Sequence, residues 1–283
     1  MLLIKWLSHI PLFLLYSVST FLYYILYYII GYRKKVVFDN MKLAFPEKSK
    51  EEINKIRKEF YRHFCDLIFE FLAIRTISKE ELKRRVTVTN PELIQKYFDQ
   101  NQTILFVVGH QCNWEWMLQR ACINYDRPFD AVYKKLQNKK FDDFMIQLRS
   151  RFGGVPIEMK QTGREIIKRR KELRGICMVA DQSPAANELD YFTNFFGKQT
   201  PFYSGMATIA QMTKYPVVFA KIKKVKRGHY NIVMETIAEA PYEKGDMKVI
   251  DQYARIVEEQ IREQPAYWLW SHRRWKHARD EEK

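Results

Sequence analysis

Apolar side chains fall along this chain in three patterns, and each predicts a different element. The first is an uninterrupted run, in which no Asp, Glu, Lys or Arg occurs from residue 6 to residue 32. A helix of that length and composition can cross a bilayer with some tilt. A secretory signal peptide would have a shorter apolar region ending in small residues, whereas "YYILYYIIGYRKK" runs from aromatic into basic. The absence of a polar face weighs against a core helix. Residues 1–35 therefore read as an uncleaved, membrane-inserted anchor, with spanning and re-entrant insertion both open. Tyrosines at 23, 24, 27, 28 and 32 suit the headgroup region. Arg33, Lys34 and Lys35 face only Lys5 and the amino terminus on the other side of the run, so the positive-inside bias puts residues 36–283 in the cytoplasm.

The second pattern is helical. "SKEEINKIRKEFYRHFCDLIFEFL" opens with a capping box, Ser49 with Glu52, and carries Ile53, Ile56, Phe60, Phe64, Leu67, Ile68 and Phe71 at helical spacing. Such a stripe packs on a domain core more often than it meets a membrane by itself. The third pattern begins at residue 103, where short β-rich runs, "TILFVVGH", "FDAVYKK", "GICMVAD", "YPVVFAKIKKV" and "HYNIVMETI", alternate with helical stretches. That order predicts an α/β fold with a mixed, largely parallel sheet flanked by helices, closed by a helix over residues 247–264. Sites in such folds gather at the C-terminal ends of strands. No internal repeat and no Gly/Ser-rich linker divides residues 36–283.

Composition narrows the function classes. At 47% hydrophobic the chain can bury a substantial core, which excludes overall disorder. A net charge of +15 calls for an anionic partner: nucleic acid, an acidic membrane, a phosphorylated lipid or an acidic carrier protein. Cys65, Cys112, Cys122 and Cys177 have no CxxC spacing, so reduced thiols are expected and no structural zinc. "GKQT" at 197–200 imitates a Walker loop, but Phe192 stands where the first glycine belongs and the threonine comes one place late. No GxGxxG follows a strand, which disfavours a dinucleotide cofactor.

The chemistry concentrates in "VVGHQCNWEW", residues 107–116. His110 follows an apolar run through Gly109 and should emerge at a strand's C-terminal end, with Glu115 in the first turn of the next helix. A carboxylate there could accept the second imidazole N–H, fix the tautomer and support a general base acting on a hydroxyl. The alternative is that both residues only satisfy backbone groups at a strand end.

The H-x4-E arrangement resembles the signature of the lauroyl/myristoyl acyltransferases of late lipid A biosynthesis, within the lysophospholipid acyltransferase-like superfamily. "FDNMKLAFPEKS", "ADQS" at 180–183, "FFGK" at 195–198 and "WLWSHRRWK" also resemble family positions, and the ordered set spans most of the chain. The resemblance implies a glycerolipid acyltransferase-like fold, an acylated carrier protein as donor, and no metal or nucleotide cofactor. Cys112 departs from the family's usual glycine. It is either a small residue in a tight turn or an acyl-accepting nucleophile. Asn113 is expected to cap the helix or hold the loop, and is also grouped with the substrate-binding or oxyanion candidates, while Trp114 packs.

Among cations, Lys134 and Lys135 follow a strand, and Arg149 and Arg151 lie in "QLRSRFGG". The resemblance makes the Arg149 region one that binds the acceptor or stabilises an oxyanion; a solvated helix face is the plain alternative. Asp181, again at a strand end, and Gln182 match the family's Asp-Gln pair and are expected to support the site. Phe195 and Phe196 are candidates for an acyl pocket. Arg273 and Arg274 in the aromatic, basic tail fit lipid phosphates or an internal carboxylate better than nucleic acid, given the anchor.

The resulting expectation is an O-acyltransferase on the cytoplasmic face of the inner membrane. It moves a fatty acyl chain from acyl carrier protein to a hydroxyl of a phosphorylated glycolipid, a lipid A precursor, with His110 as base and Glu115 behind it. Lysophosphatidate acyltransferases resemble H-x4-D followed by an FPEGTR-like stretch. Here the acid is Glu115 and the sole "FPE", at 45–47, precedes the histidine. A non-catalytic basic membrane-binding protein would have no pocket at His110.

Overall fold

In a computed structural model the described residues are 7–279. Residues 1–6 of the expected anchor, including Lys5, and the last four residues of the tail lie outside them. Helix α1 (Leu12–Tyr24) continues through a π-helical turn (Ile25–Ile30) and ends on Gly31 at φ +66°. It is followed by α2 (Lys34–Ala44), α3 (Lys50–Ala73), α4 (Lys79–Arg85), β1 (Val86–Val88), α5 (Glu92–Asp99), β2 (Ile104–Val108), α6 (Trp114–Asn124) and β3 (Phe129–Tyr133). Then come α7 (Lys139–Ser150), β4 (Gly154–Glu158), α8 (Thr162–Lys168), β5 (Gly175–Val179), the hairpin β6 (Tyr191–Asn194) and β7 (Gln199–Phe202), α9 (Gly205–Thr213), β8 (Val217–Lys226), β9 (His229–Ala238) and α10 (Lys248–Glu263).

Seven strands form the main sheet in the order β1-β9-β8-β2-β5-β3-β4. Only β8 and β9, joined by a tight turn, run antiparallel; every other neighbouring pair is parallel. The α/β class expected from the sequence is the observed one. β2 is apolar at every position because both its faces are covered. With a period of two, Leu105 and Val107 point into one core with Ile176, Phe219 and α10. Ile104, Phe106 and Val108 point into the other with Phe129, Val218 and α6.

The capping box of α3 is present, with the Ser49 hydroxyl accepting from the Glu52 N–H and the Glu52 carboxylate accepting from the Ser49 N–H. Its Ile53, Phe60 and Leu67 are buried in the protein, so the stripe is core. α3 also carries α1 along its side. Leu15, Ser19 and Tyr23 of α1 are buried against it, and Ser19 Oγ donates to Asp66 at 2.6 Å and Tyr16 OH to Glu70 at 2.9 Å. The segment Leu12–Ile30 is long and apolar enough to cross a membrane by length and composition. One of its faces is already occupied by protein.

Candidate active site

β2 and β5 pair in register up to Val108 opposite Val179, and two residues beyond each stand His110 and Asp181. Tyr253 of α10 pins both strand ends: its hydroxyl donates to the Val108 carbonyl at 2.7 Å and accepts from the Ala180 N–H at 3.1 Å. Gly109 lets the chain pass close to Asp181 at this junction: a Cβ there would lie 3.3 Å from Asp181 Oδ2, tighter than an ordinary contact, and 3.7 Å from Val257.

Asp181 is fully buried and both its oxygens are engaged. Oδ1 meets His110 Nδ1 at 2.5 Å, while Oδ2 accepts from the His110 backbone N–H at 2.8 Å and from the Trp268 indole N–H at 2.6 Å. Burial pushes this carboxyl up, but the imidazole and the donated hydrogen bonds outweigh it and hold the group below the usual carboxylate range. An ionised carboxylate only accepts, so Nδ1 carries the proton and Nε2 is left with a free lone pair.

The His110 side chain, 17% exposed, lines a cavity of about 500 Å³ at the C-terminal ends of β2, β3 and β5. Its walls are mostly apolar, including Trp114, Met117, Leu118, Val132, Met159 and Met178, and its polar lining includes Glu115, Lys134, Arg149, Gln182 and Tyr203. Trp114 sits edge-on to the imidazole with ring centroids 5.0 Å apart.

The loop after His110 is tied on two sides. Toward the C-terminal segment, Gln111 bridges Trp268, the Cys112 N–H donates to the Tyr267 carbonyl at 2.8 Å, and the Leu269 N–H donates to the His110 carbonyl at 3.0 Å. Toward α3, Asn113 Nδ2 donates to Glu70 at 2.7 Å, and the Trp116 indole donates to the Glu70 carbonyl at 2.8 Å. Asn113 Oδ1 accepts the Trp116 backbone N–H at 2.9 Å and so caps α6. Cys112 is in the left-handed region at φ +52° and is buried, and burial pushes its thiol well above the ordinary cysteine value. A buried thiol held protonated is a poor nucleophile.

The chain matches the family described as bacterial lipid A biosynthesis acyltransferase over residues 1–277. It belongs to that family. No curated protein matches it at a significant level. Membership makes this lipid A biosynthesis family protein an acyltransferase; the family is typically membrane-associated, and the chain has one N-terminal helix apolar enough to cross a membrane.

Within this acyltransferase the sequence-predicted residues separate into those at the cavity and those away from it. His110, Glu115, Lys134, Arg149 and Gln182 line the cavity, with Asp181 directly behind His110. The expected hydrogen bond from Glu115 to His110 is absent among the described residues. Glu115 instead holds Arg149, with Nη2 at 2.6 Å and Nε at 3.1 and 3.2 Å from its two oxygens, and both side chains are largely buried. The reason is geometric: adjacent strands bring Asp181 to the imidazole, whereas the first turn of α6 carries Glu115 toward α7. Burial disfavours the Arg149 charge, but Glu115 more than restores it and raises the guanidinium's already high pKa.

Asn113, Arg151, Phe195 and Phe196 lie outside the cavity lining. Asn113 is a cap, and the Arg151 guanidinium lies over the Phe152 ring at 4.6 Å. Phe195 and Phe196, expected to contact an acyl chain, pack instead with Phe45, Phe202, Trp268 and Trp275. Asn40 Nδ2 donates to the Trp270 and His272 carbonyls at 2.9 and 2.7 Å. The family-like stretches around residues 45, 195 and 268 are thus one aromatic core that supports Trp268. Arg274 is buried with its guanidinium over Phe202 at 4.2 Å, while Arg273 is exposed.

Sequence reading missed Glu70, Tyr253 and the indole of Trp268 as supports. Glu70 had a signal, a lone acid within "LIFEFLA". It is fully buried and receives Tyr230 OH at 2.7 Å in addition to Asn113 and Tyr16. Burial raises its pKa despite those hydrogen bonds.

Proposed function

We propose that this protein transfers a fatty acyl chain from acyl carrier protein to a hydroxyl group of a phosphorylated lipid A precursor, with His110 as the general base. The observation that carries the reading is the imidazole backed by Asp181 through Nδ1 at the wall of a mostly apolar cavity. Nε2 takes the proton of the acceptor hydroxyl as its oxygen attacks the thioester carbonyl carbon. The tetrahedral oxyanion then collapses, the carbon–sulfur bond breaks, and the departing carrier thiolate receives the proton back from the imidazolium. Asp181 holds the tautomer and stabilises the imidazolium; the Glu115–Arg149 pair and Lys134 supply oriented charge at the same cavity. A buried, protonated Cys112 favours direct attack over an acyl-enzyme.

The net charge of +15 suits both partners, since the acceptor carries phosphates and acyl carrier proteins are acidic. Arg33, Lys34 and Lys35 after the apolar helix support an inner-membrane location with the catalytic unit, residues 36–283, on the cytoplasmic face. The test is purified full-length protein given acyl carrier protein or coenzyme A thioesters and a lipid A precursor with a free hydroxyl. Mass spectrometry should find one added ester-linked chain from the carrier-protein thioester and none with His110→Ala. Equal turnover by folded His110→Ala would refute the mechanism, and acylation of a glycerolipid in preference to the precursor would refute the acceptor.

A further inference from the structure

A second cleft, of about 530 Å³, opens between α1, α3 and the end of the β8–β9 hairpin, and shares no lining residue with the His110 cavity. Lys55, Lys58 and Arg62 project into it from one face of α3, joined by Lys224 and Arg227 from the hairpin. Its two acids are engaged within the fold. Asp66 is held by Arg227, with Nη2 at 2.6 Å, and by Ser19, while Glu59 accepts the Tyr267 hydroxyl at 2.5 Å. Among the described residues Lys55, Lys58 and Arg62 have no ion-pair partner, so the cleft keeps an uncompensated positive charge where α1 meets α3.

The same cleft is rimmed by Thr20 and Tyr24 of α1. Tyr24 belongs to the outward face of that helix, where Phe13, Phe21 and Ile29 are 69%, 66% and 78% exposed. An apolar surface of this kind on one side of a helix whose other side is occupied by protein matches a segment lying in a bilayer surface. A molecule whose phosphate enters the basic cleft would have its apolar part beside this surface. A carrier protein would meet the charge but would have no use for the apolar rim.

We propose that the cleft binds the phosphate headgroup of an anionic membrane lipid, as a docking site separate from the acyl-transfer cavity. The inference rests on the outward face of α1 meeting lipid and not on the chemistry at His110.

The experiment measures vesicle co-flotation of the full chain, comparing neutral phosphatidylcholine vesicles with vesicles containing phosphatidylglycerol. The variants are K55Q/K58Q/R62Q and, as a control with the same change in net charge, K160Q/R170Q/K171Q at exposed positions elsewhere. Wild type should bind neutral vesicles through the α1 face and anionic vesicles more tightly. The cleft variant, with an unchanged melting temperature, should lose the anionic preference by about tenfold to a hundredfold and keep its neutral binding. The control should lose less than about threefold, and millimolar inorganic phosphate should not displace the vesicles. Equal loss in both triple variants would reduce the effect to bulk charge and overturn the site, as would retention of the preference by the cleft variant. Displacement by inorganic phosphate would assign the cleft to free phosphate. Weaker binding of acyl carrier protein by the cleft variant, with lipid preference intact, would assign it to the carrier. Failure of wild type to bind neutral vesicles would remove the premise and the proposal together, whatever the turnover at His110.

Discussion

Replacing Asp181 by asparagine changes few atoms and reverses one hydrogen bond. In the wild type, Oδ2 accepts from Trp268 and from the His110 backbone, while Oδ1 faces Nδ1. The amide oxygen of the introduced side chain keeps the first two partners, so its NH₂ must face Nδ1. That ring nitrogen then becomes the acceptor, the proton moves to Nε2, and the base points a hydrogen at the substrate. The equivalent change in serine proteases lowers kcat by about 10⁴, which is about 5.4 kcal/mol at 1.36 kcal/mol per tenfold. A loss of about 10³–10⁴ is therefore expected here, against a stability loss on the order of 1–2 kcal/mol because two of the three donors remain paired.

The assay is single-turnover acyl transfer with saturating donor, alongside thermal unfolding, for Asp181→Asn and Glu115→Gln. Glu115→Gln leaves the imidazole pair untouched and should act through Arg149, with a larger effect on stability and a smaller one on the chemical step. If Asp181→Asn keeps turnover within tenfold of wild type while folded Glu115→Gln abolishes it, the orienting role returns to Glu115. The folded-state pKa of Asp181 is depressed, so its ionisation adds stability above the unfolded carboxyl value of about 4. That stability is lost as pH falls through the folded value, and the gap between wild type and Asp181→Asn in unfolding free energy should close over that range.

Arg149→Ala leaves Glu115 buried without its cation and should cost about 3–5 kcal/mol, with Glu115→Leu/Arg149→Met closer to wild type in urea unfolding; independent, additive losses would refute the coupling. Cys112→Gly removes a buried side chain and also the penalty of φ +52°, so stability should change by less than about 1 kcal/mol. The variant should stay active, and wild type given donor alone should show no acyl adduct by intact mass; a competent adduct on Cys112 would refute direct attack. Glu70 has a raised folded pKa, so its contribution is fully present below about 4.3 and is lost as pH rises through the folded value. Wild-type stability should therefore fall relative to Glu70→Gln across that window, and parallel stability curves would refute the buried titration.

The strands carrying the site were readable because β2 and β5 are short apolar runs, while β3, β8 and β9 are rich in β-branched and aromatic residues interleaved with polar ones. β1 has three residues and β4 contains Pro156, and both lie at sheet edges, where weak or proline-containing strands survive. His110 and Asp181 were each legible as polar residues at strand ends, but their pairing was not, because it depends on β2 and β5 being neighbours across intervening β3 and β4. Local spacing favoured Glu115 as the partner, and spacing alone says nothing of which way the first turn of a helix faces. Phe195 and Phe196 follow the same logic: aromatic character marks them as buried, and only the arrival of Trp268, Trp270 and Trp275 from the far end of the chain decides that they meet protein.

Glu70 joins two parts of the molecule that the sequence presents as unrelated. One oxygen takes the Tyr16 hydroxyl from the apolar N-terminal helix, and the other takes Asn113, at the start of α6, and Tyr230. One turn earlier on α3, Asp66 receives Ser19 from the same helix. Tyr16, Ser19 and Tyr23 lie along one line of α1, and hydrogen bonds from the first two set its rotation about its own axis. With that rotation fixed, Phe13, Phe21 and Ile29 are left outward and largely exposed. A helix free to turn in lipid would not need carboxylates to orient it, and carboxylates this deeply buried would cost several kcal/mol without their donors. The polar positions inside the apolar run therefore position the helix on α3, and through Asn113 the same residue of α3 holds the loop that follows His110.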